Sequence, residues 1–293
     1  MQIVSKGLIY TYNSKTDFFK HALNGVDLTV NEGDFFGIIG ETGSGKSTFV
    51  KHLNGLVKVQ KGDLQVGLFG LSPKTKKEEK EYKKNLKNLR YKVGMVFQYP
   101  EYQLFAETVW QDVAFGVKNF FPTLTETEIE DKVKRAIDLV GLDYDYVKNK
   151  SPFELSGGQK RRVAIAGILV AEPEVLVLDE PVAGLDPRGK KMLMNLLHGL
   201  HDNGIVKTII IVSHDMDEVC ENVNKLALFC NGKAVKVCAP TEMFSGNNEE
   251  EGARLGLPIT AYLKKELEKV GVFIETNLKL DDFIEQIIKK YNS

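Results

Sequence analysis

The stretch "GETGSGKST", residues 40–48, decides the fold that this sequence predicts. It matches the pattern G-x-x-x-x-G-K-[ST], and it follows "DFFGIIG", a short apolar run typical of a strand buried on both faces. A helix is expected from Lys46 to about Gly55. Such a turn presents backbone N–H groups and a helix N-terminus to an anion, which predicts a phosphate-binding loop. The residues that we expect to hold the nucleotide here are Gly40, Glu41, Thr42, Gly43, Ser44, Gly45, Lys46, Ser47 and Thr48.

A second apolar run supplies the acids that a phosphate-binding loop needs for chemistry. The segment "EVLVLDEP", residues 174–181, reads as a buried strand that ends in Asp179 and Glu180. Lys46 would neutralise the β and γ phosphates, while Ser47 and Asp179 would hold Mg²⁺. Glu180 would then orient a water for in-line attack on the γ-phosphate. The simpler alternative, that one of the two acids only caps a helix, is weakened by the presence of the loop.

Two further polar residues follow predicted strands. His214 comes after "TIIIVS", where a neutral imidazole could bridge the γ-phosphate and the attacking water. Gln98 ends "VGMVFQ", where its amide could contact both the metal and the water. Either residue alone is as well explained by a structural role, so both depend on the rest of the pattern.

Size and composition set the limits of the interpretation. The chain has 293 residues and a net charge of −1, which favours one large domain with an appendage or two domains, and gives no electrostatic case for nucleic acid or an anionic membrane. The cysteines Cys220, Cys230 and Cys238 are expected to be buried or half-buried thiols rather than a redox pair or a metal site. The N-terminus has no secretory pattern, and no apolar run approaches the roughly 18 residues of a membrane span. We therefore expect a soluble protein, or one held at a membrane by a partner.

The rest of the chain alternates strands with helices, which indicates an α/β fold with a largely parallel sheet. Residues 1–30 and 58–71 read as antiparallel strands, and "KVGMVF" as a further buried strand. A hairpin is expected to turn at Asn231 and Gly232. The helices that we expect are residues 125–140, a helix that begins at "GQKRR" and stops near Pro173, and residues 187–201.

Two regions fall outside this alternation. Residues 73–90 are strongly charged, and a solvated helix or loop is favoured over a nucleic-acid patch because lysines and glutamates are mixed. A domain boundary is expected near residues 241–246. Beyond it a loop should lead to two amphipathic helices, 259–270 and 280–291, which pack on the main domain or on a partner.

Taken together and in this order, the phosphate-binding loop, Gln98, "LSGGQ", "LVLDE", "AGLD" and His214 resemble the nucleotide-binding subunits of ABC transporters from about Tyr10 to Pro240. The resemblance implies a RecA-like P-loop core with an antiparallel β-subdomain, a helical subdomain at about 120–167, and a small C-terminal helical extension. It divides the chain into an ATPase domain at 1–240 and the extension at 241–293.

The resemblance also explains why the chain carries a second glycine-rich segment. In the family two such domains face each other head to tail, so that "LSGGQ" of one caps the ATP held by the other. This implies that Ser156, Gly157, Gly158 and Gln159 contact the partner's ATP. Asp186 in "AGLD" would link the two ATP sites, and Tyr12 would stack on adenine unless it is simply a strand-face tyrosine. Val182 departs from the usual family sequence, which has threonine or serine at this position.

A narrower resemblance is to the energy-coupling-factor branch, and within it to the A2-type component. It is carried by "VFQYPEYQLFAETVWQDVAFG", residues 96–116, and by "SPFELSGGQKRRVAIAGILVAEPEVLVLDEPVAGLDP". It implies ATP hydrolysis with Mg²⁺ at the cytoplasmic face of the membrane, a paralogous second ATPase, and a transmembrane coupling protein that contacts residues 98–104. Small membrane subunits would bind the cargo, so this chain would carry no cargo pocket.

Other interpretations remain open at this point. The chain resembles, less specifically, the ATPase of a cobalt or nickel importer or of an importer with its own permease. A soluble ABC protein that acts on DNA or the ribosome would need a long coiled-coil insertion or two ABC modules, and neither is present. A non-catalytic scaffold is disfavoured because Glu180 and His214 are both retained.

Overall fold

The computed structural model describes residues 1–14, 18–244, 256–274 and 279–291. Its strands are β1 (Ile3–Tyr12), β2 (Lys20–Val30), β3 (Phe35–Gly40), β4 (Lys61–Val66), β5 (Phe69–Gly70), β6 (Val93–Val96), β7 (Val175–Asp179), β8 (Thr208–Val212), β9 (Lys225–Cys230) and β10 (Lys233–Cys238). Within the described residues they form a larger sheet in the order β10-β9-β3-β8-β7-β6 and a smaller one in the order β2-β1-β4-β5.

The larger sheet is parallel from β9 through to β6. Its central strands β3, β7 and β8 are buried along their whole length, as their apolar sequences predict. Parallel pairing brings their carboxyl ends to one edge of the sheet, where Asp179 of β7 lies opposite Val212 of β8. The residues that follow these strands therefore meet at this edge, which is where ligands bind in such sheets.

Alternate residues of each central strand pack into different apolar cores. Ile209 and Ile211 of β8 belong to the core shared with most of the helices, whereas Ile210 and Val212 belong to the core shared with the smaller sheet. This two-sided burial explains why the strand sequences read as continuous apolar runs. The smaller sheet is antiparallel throughout, as residues 1–30 and 58–71 predict.

The hairpin of β9 and β10 turns at Asn231 and Gly232, as expected. Both residues have positive φ, 48° and 78°, which the two-residue turn requires and which asparagine and glycine tolerate best. The burial expected of the cysteines is confirmed as well: Cys220 and Cys238 are buried and Cys230 is half-buried.

The helices lie between and around the strands. They are α1 (Lys46–Leu53), α2 (Lys76–Lys92), α3 (Val109–Phe120), α4 (Glu126–Leu139), α5 (Tyr144–Val147), α6 (Gly157–Leu169), α7 (Pro187–Asp202), α8 (Met216–Asn222), α9 (Pro240–Phe244), α10 (Ile259–Lys269) and α11 (Leu280–Tyr291). Short 3-10 helices occur at Pro100–Gln103 and Pro152–Glu154.

A layer of helices covers one face of the larger sheet. Helices α3, α4 and α6 pack against one another through buried side chains such as Val113, Val133 and Val163. The layer includes α3 from Val109 onward, whereas the helical subdomain expected from the sequence, residues 120–167, begins at the end of that helix. The reason is that α3 buries its apolar face against α6, and nothing in residues 109–120 alone indicates that partner.

The two regions that fall outside the alternation of strands and helices, the charged segment and the C-terminal region, both contain helices. Residues 73–90 form most of α2, whose residues are exposed or half-buried except for Leu89, and this confirms a solvated helix. The expected boundary at 241–246 falls partly within α9, and Met243 and Phe244 are buried in the core of the main domain. The main domain therefore extends at least to Phe244. Most of the predicted loop beyond it lies outside the described residues, and α10 and α11 follow where expected.

Candidate nucleotide site

The loop at residues 40–48 has a backbone that only glycine allows at two points. Gly40 and Gly45 have φ of 148° and 106°, which side-chain-bearing residues rarely adopt. A Cβ on Gly40 would collide with the carbonyl oxygen of Phe229, and one on Gly45 would lie 2.5 Å from the carbonyl oxygen of Ala22. The loop is therefore held tightly between β3 and two neighbouring segments. Its open side forms a cradle for a ligand.

Lys46 lies inside this cradle. Its Nζ donates hydrogen bonds of 2.7 and 2.9 Å to the carbonyl oxygens of Gly40 and Glu41. Burial lowers the pKa of the ammonium, and the nearby charges of Glu180 and Asp179 oppose that effect. Ser44 places a buried hydroxyl oxygen in the same loop with no partner. A buried cation and an unsatisfied hydroxyl are groups that a phosphate would satisfy.

The Mg²⁺ ligands expected from the sequence converge. The hydroxyl of Ser47, in the first turn of α1, donates a 3.1 Å hydrogen bond to Asp179 Oδ1 at the end of β7. Burial raises the pKa of the Asp179 carboxyl, and this side chain is 7% exposed. Gln98 lines the same cavity as Ser47. Hydroxyl, carboxylate and amide oxygens suit Mg²⁺, which usually completes its coordination with substrate phosphates and water.

Glu180 and His214 form a pair at the same edge of the sheet. The His214 Nδ1–H donates to Glu180 Oε2 over 2.7 Å, because an ionised carboxylate can only accept. Glu180 has a φ of 53°, uncommon for a residue with a side chain, while its backbone N–H continues the pairing by donating to Val212. Nδ1 donates in this pair, so Nε2 accepts a hydrogen bond when the ring is neutral and donates one when the ring is protonated.

Lys46, Ser47, Gln98, Glu180 and His214 line one open cavity of about 710 Å³. It joins the phosphate-binding loop to Tyr12, whose hydroxyl lies 3.3 Å from Thr48 Oγ1 and whose ring packs edge-on against Tyr10. The cavity is large enough for a nucleotide. The expected site residues that line it are Tyr12, Thr42, Gly43, Gly45, Lys46, Ser47, Thr48, Gln98, Glu180 and His214.

The second glycine-rich segment lies elsewhere, at the start of α6. Ser156 caps this helix: its Oγ accepts from the Gln159 backbone N–H, and Gln159 Oε1 accepts from the Ser156 N–H. Gly157 and Gly158 are exposed, and an added Cβ on either would meet nothing within 4 Å. This segment is not among the residues that line the cavity. It presents a hydroxyl and free helix N–H groups outward, as a site for a ligand held by another molecule would require.

Asp186 and Val182 have local structural roles. Asp186 caps α7 by accepting a 2.6 Å hydrogen bond from the Gly189 N–H. Val182 is 3% exposed and belongs to the core with the helices, so the departure from threonine or serine removes a polar group from an apolar environment.

Sequence reasoning missed two buried charged residues near this site. Arg161 lies in α6 and bonds to Glu101, Pro181 and Ala183. Glu218 lies in α8 and accepts a hydrogen bond from the hydroxyl of Ser213. The pattern around "KRR" and "DMDEV" is typical of ordinary helices, so no signal in the sequence distinguishes either residue from a solvated charge.

The fold and the site define an ABC-class nucleotide-binding subunit, and the sequence model of the family described as "ABC transporter" matches residues 23–183. Among solved structures, cbiO1 from Clostridium perfringens, part of the ABC transporter complex cbiONQ, aligns with a TM-score of 0.72 at 35% identity, over 92% of this chain and 96% of that chain. A dimeric cassette, MJ0796 bound to ADP and Pi, aligns with a TM-score of 0.68 at 26% identity, over 81% of this chain and 98% of that chain.

Curated relatives narrow the class. An energy-coupling factor transporter ATP-binding protein EcfA2 from Clostridium tetani is 42% identical, covering 100% of this chain and 98% of the relative. The EcfA2 protein of Enterococcus faecalis is 44% identical, covering 99% and 97%. The chain belongs to this family of energy-coupling factor transporter ATP-binding proteins. It has the ABC ATPase fold and is an ATP-hydrolysing transporter subunit that works with ATP and Mg²⁺. Among the described residues, no helix is both long and apolar enough to cross a bilayer.

Proposed function

We propose that this chain powers the import of vitamins or other micronutrients as the A2-type ATPase of an energy-coupling factor importer. It works at the cytoplasmic face of the membrane, together with a paralogous ATPase, a transmembrane coupling protein and small substrate-binding membrane subunits. The observation that carries the proposal is full-length similarity to EcfA2 proteins combined with one cavity lined by Ser47, Glu180 and His214, where Ser47 also bonds to Asp179.

Within the cavity each residue has a role that its surroundings support. Lys46 and the loop amides bind the phosphates, and Tyr12 packs against the adenine. Ser47, Asp179 and Gln98 hold Mg²⁺, which supplies charge neutralisation on the phosphates when bound. Glu180 orients the attacking water and keeps the proton of His214 on Nδ1. When its ring is protonated, His214 donates from Nε2 and stabilises charge at the γ-phosphate.

Completion of the site requires a second ATPase. Residues 156–159 lie outside the chain's own cavity, and all but the half-buried Gln159 are exposed, which supports a head-to-tail dimer in which they cover the partner's ATP. Asp186 lies at the start of α7 in the segment that follows Glu180, where it would link the two sites. The extension at residues 241–293 would add a further contact between the two ATPases.

The contact with the membrane partner is proposed at residues 98–104. Tyr99 and Tyr102 are exposed there, and the exposed Phe105 packs edge-on against Phe115. Exposed aromatic side chains grouped in this way are typical of a protein interface. The segment directly follows Gln98, so a movement at this surface reaches the cavity through one short stretch of backbone.

The test is to purify the tagged chain from gently solubilised membranes and to identify the proteins that accompany it by mass spectrometry. A similar second ATPase, one membrane scaffold and several small membrane proteins are expected. A single dedicated permease with a metal-binding subunit would instead favour a cobalt or nickel importer, which the likeness to cbiO1 keeps as the second candidate. Recovery only in the soluble fraction, alone or with ribosomes or DNA, would contradict the transport proposal.

A further inference from the structure

Arg161 is a cation buried where burial is costly. It lies one and a half turns into α6, five residues after the cap Ser156, and its side chain is 5% exposed. Removing a guanidinium from water is unfavourable unless its donors are all satisfied and an opposite charge is close. Its neighbour Arg162 is only half-buried and reaches a different part of the chain.

All five N–H donors of Arg161 are used. Nε and Nη2 donate to Glu101 Oε2 and Oε1 over 3.1 and 3.0 Å, a two-pronged pairing of guanidinium and carboxylate. Nη1 donates to the carbonyl oxygen of Pro181 over 2.9 Å. Nη1 and Nη2 both donate to the carbonyl oxygen of Ala183 over 3.1 Å. A guanidinium has five such donors, so no capacity remains for water or another ligand.

The acceptors belong to two segments that start at the nucleotide cavity. Glu101 lies in the 3-10 helix Pro100–Gln103, which begins two residues after Gln98. Pro181 directly follows Glu180, and the Ala183 N–H donates back to the carbonyl oxygen of Glu180. Arg161 therefore connects three parts of the chain: the start of α6, the segment after Gln98 and the segment after Glu180.

This connection is better suited to setting positions than to adding stability. A buried ion pair often contributes no more to folding than apolar side chains of similar size would. The planar fork, however, fixes distances and directions to all its acceptors at once, which an ammonium with three rotatable donors does not. No bond of Arg161 reaches residues 40–48, so the loop that we propose for phosphate binding lies outside this network.

We propose that Arg161 is a positioning residue for ATP hydrolysis. It holds the segments of Gln98 and Glu180 in register with the exposed start of α6, and so sets the rate of turnover rather than the affinity for ATP. The inference rests on the proposed function, since it assumes that Glu180 orients the water and that residues 156–159 cover the partner's ATP. Displacements of about 1 Å at a catalytic group cost up to about a hundredfold in rate.

The experiment uses the purified transporter complex with R161M, R161K and E101Q in this chain. E101Q leaves the three bonds from Arg161 to the carbonyl oxygens of Pro181 and Ala183 in place. It therefore tests the proposal in a folded protein if R161M does not fold. R162M is the matched control, because it makes the same change one position further along, where the side chain bonds to the carbonyl oxygens of Val140 and Gly141. The readouts are kcat, KM for ATP, and the affinity and stoichiometry of a fluorescent ATP analogue.

We expect R161M to lower kcat about tenfold to a hundredfold, with KM, affinity and stoichiometry unchanged within about twofold. E101Q and R161K should lie between R161M and wild type, and R162M should match wild type. A loss of binding stoichiometry in parallel with kcat would show only partial unfolding and would overturn the proposal. So would wild-type kcat in both R161M and E101Q while E180Q is inactive, which leaves the proposed function standing. Unchanged turnover in E180Q would overturn both together.

Discussion

Three structural features of the residue Glu180 support its assignment to ATP hydrolysis. It follows the last position of β7, adopts a φ of 53° and accepts the Nδ1–H of His214 over 2.7 Å. E180Q keeps the shape but weakens the acceptor, so we expect kcat for ATP to fall about a hundredfold or more, with ATP affinity retained. Steady-state phosphate release and analogue binding measure the two quantities separately.

The control for this change is E81Q, because Glu81 is an exposed glutamate on α2, away from the cavity. It should leave both quantities at the wild-type level. Turnover of E180Q within a factor of about three of wild type would contradict the assignment of Glu180, since general-base groups contribute about a hundredfold or more.

Glu218 provides a pH-dependent test at the residue scale. Burial raises the pKa of its carboxyl to about 7, with the nearby negative charges of Asp215 and Glu180 acting in the same direction. The hydrogen bond from Ser213 and the charge of Lys190 oppose this shift. Its Oε1 is buried without a partner. The folded protein therefore favours the protonated form, and the corresponding stability is present below about pH 4.5 and lost as the pH rises through about 7.

Because glutamine stays neutral, E218Q should remove this loss. We expect its free energy of unfolding to equal that of wild type near pH 5 and to exceed it by about 1 to 3 kcal/mol at pH 8. Urea unfolding at several pH values measures the difference. E221Q, at an exposed glutamate of the same helix α8, should show no such trend. A constant difference between E218Q and wild type from pH 5 to pH 8 would contradict the proposed titration.

At the scale of elements, the capping box of α6 separates a structural effect from a functional one. Ser156 caps α6 through Gln159 in the same way that Thr125 caps α4 through Glu128. S156A and T125A should each destabilise the fold by about 1 kcal/mol, because each leaves a helix N–H without its partner. Only S156A should also lower turnover in the complex, because its hydroxyl hydrogen is free to reach a partner's phosphate.

Thermal unfolding and ATPase assays on both variants check this prediction. Equal turnover in S156A and T125A, after correction for the folded fraction, would contradict this prediction. It would assign Ser156 to capping alone and would show that helix stability, rather than a phosphate contact, limits the rate.

How far the sequence predicts the elements depends on how local their causes are. Strands β3, β7 and β8 were predicted because a buried parallel strand reads as a continuous apolar run. The turn at Asn231 and Gly232 was predicted because it needs positive φ. Helices α3 and α8 were not, since their burial depends on partners such as α6 and β3 that are distant in sequence. For the same reason the bonds from Arg161 to Glu101 and Pro181 span 60 and 20 residues and leave no local signal.

The same reasoning applies to the site. The loop, Asp179, Glu180 and His214 were predicted together, because each follows a strand and parallel strands end at one edge. The sequence alone gave no reason for the second glycine-rich segment. Its role was predicted only from the resemblance to the ABC family, because residues 156–159 lie outside the cavity of their own chain. Burial of Met243 and Phe244 likewise depends on contacts with the folded core, which no local signal in the sequence indicates.

At the scale of the whole molecule, the separation of the cavity from residues 156–159 predicts association that depends on nucleotide. When hydrolysis is blocked in both ATPases, by E180Q here and by the matching glutamate-to-glutamine change in the partner, ATP should persist at both sites and hold the two chains together. Gly158 tests the geometry directly, because it is exposed and a side chain there meets nothing within 4 Å of its own chain. In E180Q/G158D the added carboxylate would face the partner's phosphates and repel them, so the fold is retained while association is lost.

Light scattering after size-exclusion chromatography of the two purified ATPases, with and without MgATP, measures the effect. E180Q should form the heterodimer only with MgATP, and E180Q/G158D should remain dissociated under both conditions. E180Q/G199A is the matched control, since Gly199 lies within α7 and also has open space around it. It should associate like E180Q. Association of E180Q/G158D at the level of E180Q would mean that the start of α6 does not face the partner's ATP, and that the two cavities are completed by some other surface.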